Sequence, residues 1–218
     1  ACAEDKGALI KLYKKCFNDS TDFVSAVFDF VWKPSETLVR EEEGQIISMV
    51  LLPRFNLQKS GVNCGYIYAL CTDQAHQNKG AMTKLLNYAH LYCERRGDDF
   101  TMLVPASQTL FCLYAKFSYK PGFYIKKSVF RADKSDCALK KACLSDFEFI
   151  NTLYESRFSA GEHIKRDCAL FSALDAIYGA DGGGFFVGES GYVLIEKNPD
   201  RITVREACPT RGISQLLS

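Results

Sequence analysis

The residues best placed by type and spacing to do chemistry lie between Gly65 and Phe123. Gly65-Tyr66-Ile67-Tyr68-Ala69-Leu70-Cys71-Thr72 reads as a buried strand, the last part of a longer one from Gly61. A loop from Asp73 to Asn78 then leads through Lys79-Gly80-Ala81-Met82 into a helix running to about Arg96. The first N–H groups of a helix have no intrahelical partners, and the macrodipole places roughly +0.5 charge there. A strand, a short loop and a helix start therefore make an anion site. Gly80 permits a close backbone approach that a side chain would block. Such a site suits a pyrophosphate.

Other reactive residues have plainer readings beside the sharper ones. Tyr114 lies with Leu110, Leu113 and Phe117 on one face of a later helix, so it is either a packed core tyrosine or a phenol held by its neighbours. His76 sits in the anion loop as a solvated histidine or a base. Cys71, at the strand end, has no His-with-carboxylate pattern nearby to activate it and reads as a buried thiol. The ten cysteines include no C-x-x-C pair, and with three histidines they offer no paired zinc ligands. They read as reduced thiols used as small apolar side chains. Glu41-Glu42-Glu43 is a solvated hairpin tip, and Gly182-Gly183-Gly184 a flexible turn, because no helix opens directly after it.

The order and spacing of these segments resemble the GNAT superfamily of acetyl-CoA-dependent N-acetyltransferases. The family loop runs Arg or Gln, two residues, Gly, one residue, then Gly or Ala; Gln77-Asn78-Lys79-Gly80-Ala81-Met82 follows it up to the last place. Tyr114-Ala115-Lys116-Phe117-Ser118-Tyr119 resembles the family's Tyr-x-Lys-x-Gly-Phe turn, with Ser118 for Gly. Ser107 stands where the family often has Asn, and Gln74 where it has Pro. The resemblance implies an α/β fold with a mixed, mostly antiparallel sheet and helices on both faces. It also implies acetyl-CoA as acyl donor, with no metal. Backbone groups of Leu70, Cys71 and Thr72 would bond the pantetheine arm like an added strand. The amides of Gln77, Asn78, Lys79, Gly80, Ala81 and Met82 would hold the pyrophosphate, with Thr83 in the first helical turn. Tyr114 would be the general acid for the leaving thiolate. The acceptor would be a small amine or an amine-bearing peptide. A non-catalytic acyl-CoA-binding or regulatory protein, and a transferase of longer acyl groups, remain open beside it.

The resemblance covers residues 1–131, with the family's first strand expected to precede Ala1. Residues 132–218 read as a partial, degenerate second unit. Ala1-Cys2-Ala3-Glu4-Asp5 followed by Leu12-Tyr13 recurs 141 residues later as Ala142-Cys143-Leu144-Ser145-Asp146 followed by Leu153-Tyr154. Each copy continues as two amphipathic helices, a hairpin and a longer strand, and Ser145 with Glu148 predicts a capping box at the second start. This tandem is similar to the enhanced-intracellular-survival type of GNAT protein. No cofactor loop follows Cys208, so the second unit is expected to wall the substrate side without binding CoA.

These segments sit in a chain of 218 residues, 47% apolar and 24% charged, which is ordinary for a globular protein and excludes wholesale disorder. The longest apolar run, Ile46 to Pro53, is far short of the ~20 residues of a membrane span. No charged segment followed by an apolar stretch opens the chain, so a cytoplasmic protein is expected. A net charge of +1 gives no general attraction for nucleic acid. Residues 1–131 carry +4 and residues 132–218 carry −3, which favours an anionic ligand on the first part and a cationic one on the second. The strand offers no carboxylate to deprotonate an amine. Deprotonation is expected through ordered water linked to Asp73 or His76.

Overall fold

The computed structural model describes residues 1–124, 139–189 and 191–208. The chain opens with helices α1 (Lys6–Cys16) and α2 (Thr21–Phe30), the latter capped by Ser20, whose hydroxyl accepts from Phe23 N at 3.0 Å. Strands β1 (Thr37–Glu42) and β2 (Gln45–Leu51) form a hairpin; β3 (Arg54–Asn56), β4 (Asn63–Tyr66) and β5 (Tyr68–Thr72) follow. Then come α3 (Ala81–Arg95), β6 (Phe100–Met102) and α4 (Gln108–Ala115). After the undescribed segment come β7 (Lys140–Lys141), α5 (Phe147–Phe158), α6 (Cys168–Gly179), β8 (Gly184–Gly188), β9 (Gly191–Asn198) and β10 (Arg201–Cys208).

Strand order is β1-β2-β5 in one sheet, β3-β4-β6 in a second and β10-β9-β8-β7 in a third. All described pairings are antiparallel except β4 with β6. The fold is thus mixed α/β with mostly antiparallel sheets, as the resemblance implies. The apolar run Ile46–Leu52 has a simple cause. Side chains alternate along a strand, and β2 is covered on both faces: Met49 and Leu51 join α1 and α2, while Val50 and Leu52 join α3. Ser48, fully buried in this run, donates to Cys71 O at 2.7 Å and lies 2.9 Å from Thr72 Oγ1.

Two local expectations are corrected. The span Gly61–Thr72 is not one strand: it breaks at Ile67, and β4 and β5 belong to different sheets. The box before α5 is not Ser145 with Glu148. Asp146 Oδ2 accepts from Cys143 N at 3.0 Å, as Asp5 Oδ2 accepts from Cys2 N at 2.7 Å before α1. In both copies of the repeat the Asp directly before the α-helix reaches back three residues to the orphan amide of the Cys. The expected boundary near Arg131, and the segment 209–214, lie outside the described residues.

Elements from the two halves of the sequence touch directly. Ile177 of α6 packs into the α1–α2 core, Leu57 bridges Ile164, and Gln58 N donates to His163 O at 2.9 Å.

Gly65 is a packing requirement where β4 crosses α3. A Cβ there would come within 2.6 Å of Cys93 Sγ and 3.0 Å of Asp98 Oδ2. Neither can give way: Cys93 is buried, and Arg54 and Arg96 clamp Asp98 at 2.7 and 2.6 Å. Gly65→Ala is expected to cost about 1–3 kcal/mol, the range for overpacking. A lower melting temperature, largely restored by adding Cys93→Ala, is the expected result. An unchanged melting temperature in the single variant counts against it.

Candidate active site

The expected cofactor residues fall on one continuous strand, loop and helix. Leu70, Cys71 and Thr72 end β5; Gln77 to Gly80 form the loop; Ala81, Met82 and Thr83 open α3. Among the described residues β5 pairs with β2 on one side only. Opposite it, β6 follows β4, and the bond from Ile67 N to Met102 O at 2.8 Å is the last between that pair before β5. The two strands then part. Ala69 and Leu70 together oppose Val50, a β-bulge with Ala69 at φ +50°. A non-glycine residue in that region costs on the order of 1–2 kcal/mol, so the surroundings must hold it there. The result is a strand edge unpaired among the described residues and bent away from its neighbour, open to an added extended group. On that strand the Cys71 carbonyl already accepts from Ser48 and the Thr72 carbonyl from Gln77 Nε2 at 3.1 Å.

The loop is held from within. Asp73 Oδ1 accepts from Ala75 N at 3.1 Å, and its Oδ2 holds Lys15 Nζ at 2.9 Å, a bond that lowers the Asp73 carboxyl below its ordinary range. Lys79 Nζ reaches Ala75 O at 3.3 Å. Asn78 and Gly80 both take left-handed backbone conformations, φ +61° and +75°, which suits their residue types. Gly80 is the N-cap of α3 and supplies no capping side chain, so the first amides of a 15-residue helix stay open. The space off its Cα is empty to 4 Å. That is the geometry an anionic group requires.

Tyr114 comes to the same place from α4, which Ser107 caps by accepting from Leu110 N at 3.2 Å. Its half-buried ring joins one apolar cluster with Leu70 of β5 and Met82 of α3. Tyr119 meets it edge-on at 5.8 Å and is itself held by Thr101 Oγ1 at 2.8 Å and His90 Nε2 at 3.0 Å. Ser118 adopts φ +67°, the conformation for which a glycine would serve. Burial raises the Tyr114 phenol, which therefore stays protonated at neutral pH.

His76 lies near the hairpin tip, 4.0 Å from Glu42, and Asp73 is engaged by Lys15 and the loop. Cys71 is buried, and the Cys16 thiol beside it, with burial, pushes its own thiol upward, consistent with a packing role. Among the described residues no cluster of metal-ligating side chains occurs, and no helix is long and apolar enough to cross a membrane. Tyr13, a core residue of α1, also donates from Oη to Asp19 Oδ2 at 2.8 Å, a bond that the apolar spacing of α1 does not signal.

A helix N-terminus thus opens beside a splayed strand edge, and a tyrosine from the next helix joins the same apolar cluster. The sequence pattern of the GNAT acetyltransferase domain matches residues 2–122, and the chain belongs to that family. Its fold is similar over the whole chain to a probable N-acyltransferase of Enterococcus faecalis, at TM-score 0.71 and 13% identity, covering 100% of this chain and 60% of that one. It also resembles a GCN5-related N-acetyltransferase of Anabaena variabilis, at TM-score 0.67 and 15% identity, over 95% of this chain and 57% of the other. A predicted acetyltransferase of Clostridium acetobutylicum, whose structure contains acetyl-CoA, matches at TM-score 0.50 and 18% identity over 59% of this chain and 92% of its own. The chain therefore spans about three fifths of the length of the first two structures. Among curated proteins none matches the sequence significantly.

Proposed function

We propose that this chain transfers an acetyl group from acetyl-CoA to a primary amine by direct attack. One observation carries the reading: the bulged edge of β5, unpaired among the described residues, leads through the Gly80 turn into the open N-terminus of α3, and Tyr114 packs on the same apolar core as Leu70 and Met82. In this reading the α3 amides and loop from Gln77 to Met82, with Thr83, hold the pyrophosphate. The edge at Leu70–Thr72 aligns the pantetheine arm, and Tyr114 meets the leaving sulfur. When bound, acetyl-CoA supplies the activated acyl carbon; the protein orients it, excludes water and handles protons. Residues 1–131 would form the catalytic unit and residues 132–218 a shortened second unit that walls the acceptor side, where its −3 charge favours a cationic amine.

Release of free thiol from acetyl-CoA is the test, measured with simple alkylamines and lysine-bearing peptides and repeated with acyl chains of two to eight carbons. Amine-dependent turnover that is fastest with acetyl is expected. Tight acetyl-CoA binding with no turnover would leave a non-catalytic acyl-CoA-binding protein. Fastest turnover with a long chain would change the donor.

A further inference from the structure

Residues 17–20 suffice to join α1 to α2, whereas residues 159–167 join α5 to α6, and this longer connection reaches across to the first half of the chain. It lies along the end of β3, the outer strand of the β3-β4-β6 sheet. Ile164 bridges Leu57 in antiparallel register, Gln58 N donates to His163 O at 2.9 Å, and Lys165 N donates to Asn56 O at 2.8 Å. At the turn beyond, Lys59 Nζ donates to Ala160 O at 3.0 Å, and the Glu162 carboxylate accepts from Ser60 N at 3.0 Å and from Ser60 Oγ at 3.1 Å. The α5–α6 connection is thus a strap that adds a short strand to a sheet edge.

We propose that this strap is a pH-sensitive clasp between the two halves of the chain, fastened by His163. Such a clasp acts whatever reaction the chain performs. His163 is 7% exposed, and both of its ring nitrogens meet acceptors: Nδ1 lies 3.2 Å from Gly161 O, and Nε2 lies 3.0 Å from Glu155 Oε2. Neither a carbonyl nor an ionised carboxylate can donate. The imidazolium alone donates to both, while a neutral ring turns a lone pair towards one of them. The charged ring therefore ties the strap to α5 at the residue whose carbonyl holds Gln58 of the first half. When the ring gives its proton to water, one of its two bonds is lost.

The neighbouring groups leave this fastening to one pair. Tyr154 stands edge-on to the His163 ring at 5.3 Å, Phe158 lies at 6.0 Å, and Tyr154 Oη donates to Ile164 O at 2.8 Å. Of the nearby charges, Glu155 is the one that bonds the ring. Arg166, stacked on Tyr154 at 3.9 Å, is matched by both carboxylate oxygens of Glu206 on β10, at 2.9 and 2.7 Å. Glu162 and Lys59 are taken up in the contacts given above, Arg157 of α5 lies over Phe158, Asp167 caps α6 through Leu170 N at 2.8 Å, and Lys165 is exposed. Histidine is the side chain that changes charge between about pH 5 and 8. A ring whose charged form gains partners on closing holds the strap at the acid end of that range and releases it as pH rises. Ile177, packed in the α1–α2 core, keeps the two halves together, so opening is confined to the strap and the β3 edge.

Amide hydrogen exchange in the full chain, corrected for the intrinsic rate at each pH, reads the clasp at Gln58 N and Lys165 N, the two amides that close it. Between about pH 5.5 and about pH 8 their protection is expected to fall about tenfold, the size of one hydrogen bond to a charged group, while the α3 amides keep theirs. His163→Gln does not titrate, so its protection at both amides should no longer follow pH. Glu155→Gln leaves the histidine in place and tests the pair itself. Its side-chain amide can accept from a charged ring and donate to a neutral one, so the strap should stay protected at both ends of the range. A merely structural role for the pair would not flatten the profile in this way. Protection that does not vary with pH in the parent overturns the clasp, and so does a fall that persists undiminished in either variant.

Discussion

Gly80→Glu is expected to abolish acetyl-CoA binding while leaving the protein folded. Two effects act at this position and can be separated. Gly80 has φ +75°, so any side chain strains the backbone by on the order of 1 kcal/mol. The space off its Cα is empty to 4 Å, so the side chain meets no protein atom and the fold tolerates it. That space is where the pyrophosphate would lie against the α3 amides. A carboxylate there faces phosphate charge at 4–5 Å, a repulsion of about 4 kcal/mol per charge pair near a protein surface. It also offers its oxygens to the amides the ligand needs. More than 100-fold loss of affinity follows, since each ~1.4 kcal/mol is a factor of ten. Gly80→Ala carries the strain without the charge and should lose far less. Equal calorimetric affinity for Gly80→Glu and the parent would overturn the pyrophosphate assignment.

What the sequence revealed, and what it concealed, follows from the range of the interactions involved. The α3 start was legible because its signals are local: Gly80 in a turn, then Leu85, Leu86, Ala89 and Cys93 at helical spacing, all buried. The run Ile46–Leu52 was legible as a strand for a similar reason, although that both faces are covered is fixed only by packing. The break at Ile67 and the bulge at Ala69 were illegible. Alanine has no preference for φ +50°, and it is the pairing of β4 with β6 and of β5 with β2 that forces the divergence. The capping boxes were half legible: the repeat of Cys2–Asp5 in Cys143–Asp146 was visible, but the Ser145–Glu148 pattern points two residues further on. Tyr13 looked like a core residue, and it is one. That its hydroxyl also donates to Asp19 in the connection to α2 leaves no trace in the apolar spacing.

Tyr114→Phe is expected to lower kcat ~10²-fold or more while acetyl-CoA affinity stays nearly unchanged. The ring belongs to the cluster with Leu70 and Met82, and phenylalanine keeps that packing, so the variant removes a hydroxyl and little else. Attack on a thioester expels a thiolate whose conjugate acid has a pKa of ~8.5, judged by a cysteine thiol. The buried phenol lies above its ordinary ~10, so full transfer to the free thiolate runs uphill by at least ~1.5 units. Tyr114 therefore works best while the C–S bond is breaking: its O–H donates to sulfur as charge develops, and the N–H proton restores the phenol afterwards. An interaction made mainly in the transition state affects kcat rather than binding, and a factor of 10² corresponds to ~2.7 kcal/mol. The pH profile gives an independent sign. Because burial raises the phenol, the parent should keep its activity through neutral pH and lose it only as pH climbs past that raised value, where the proton is gone. The phenylalanine variant should lack that alkaline limb. If it retains full kcat under conditions where chemistry limits the rate, Tyr114 is a packing residue and the proton for the departing sulfur comes from another group.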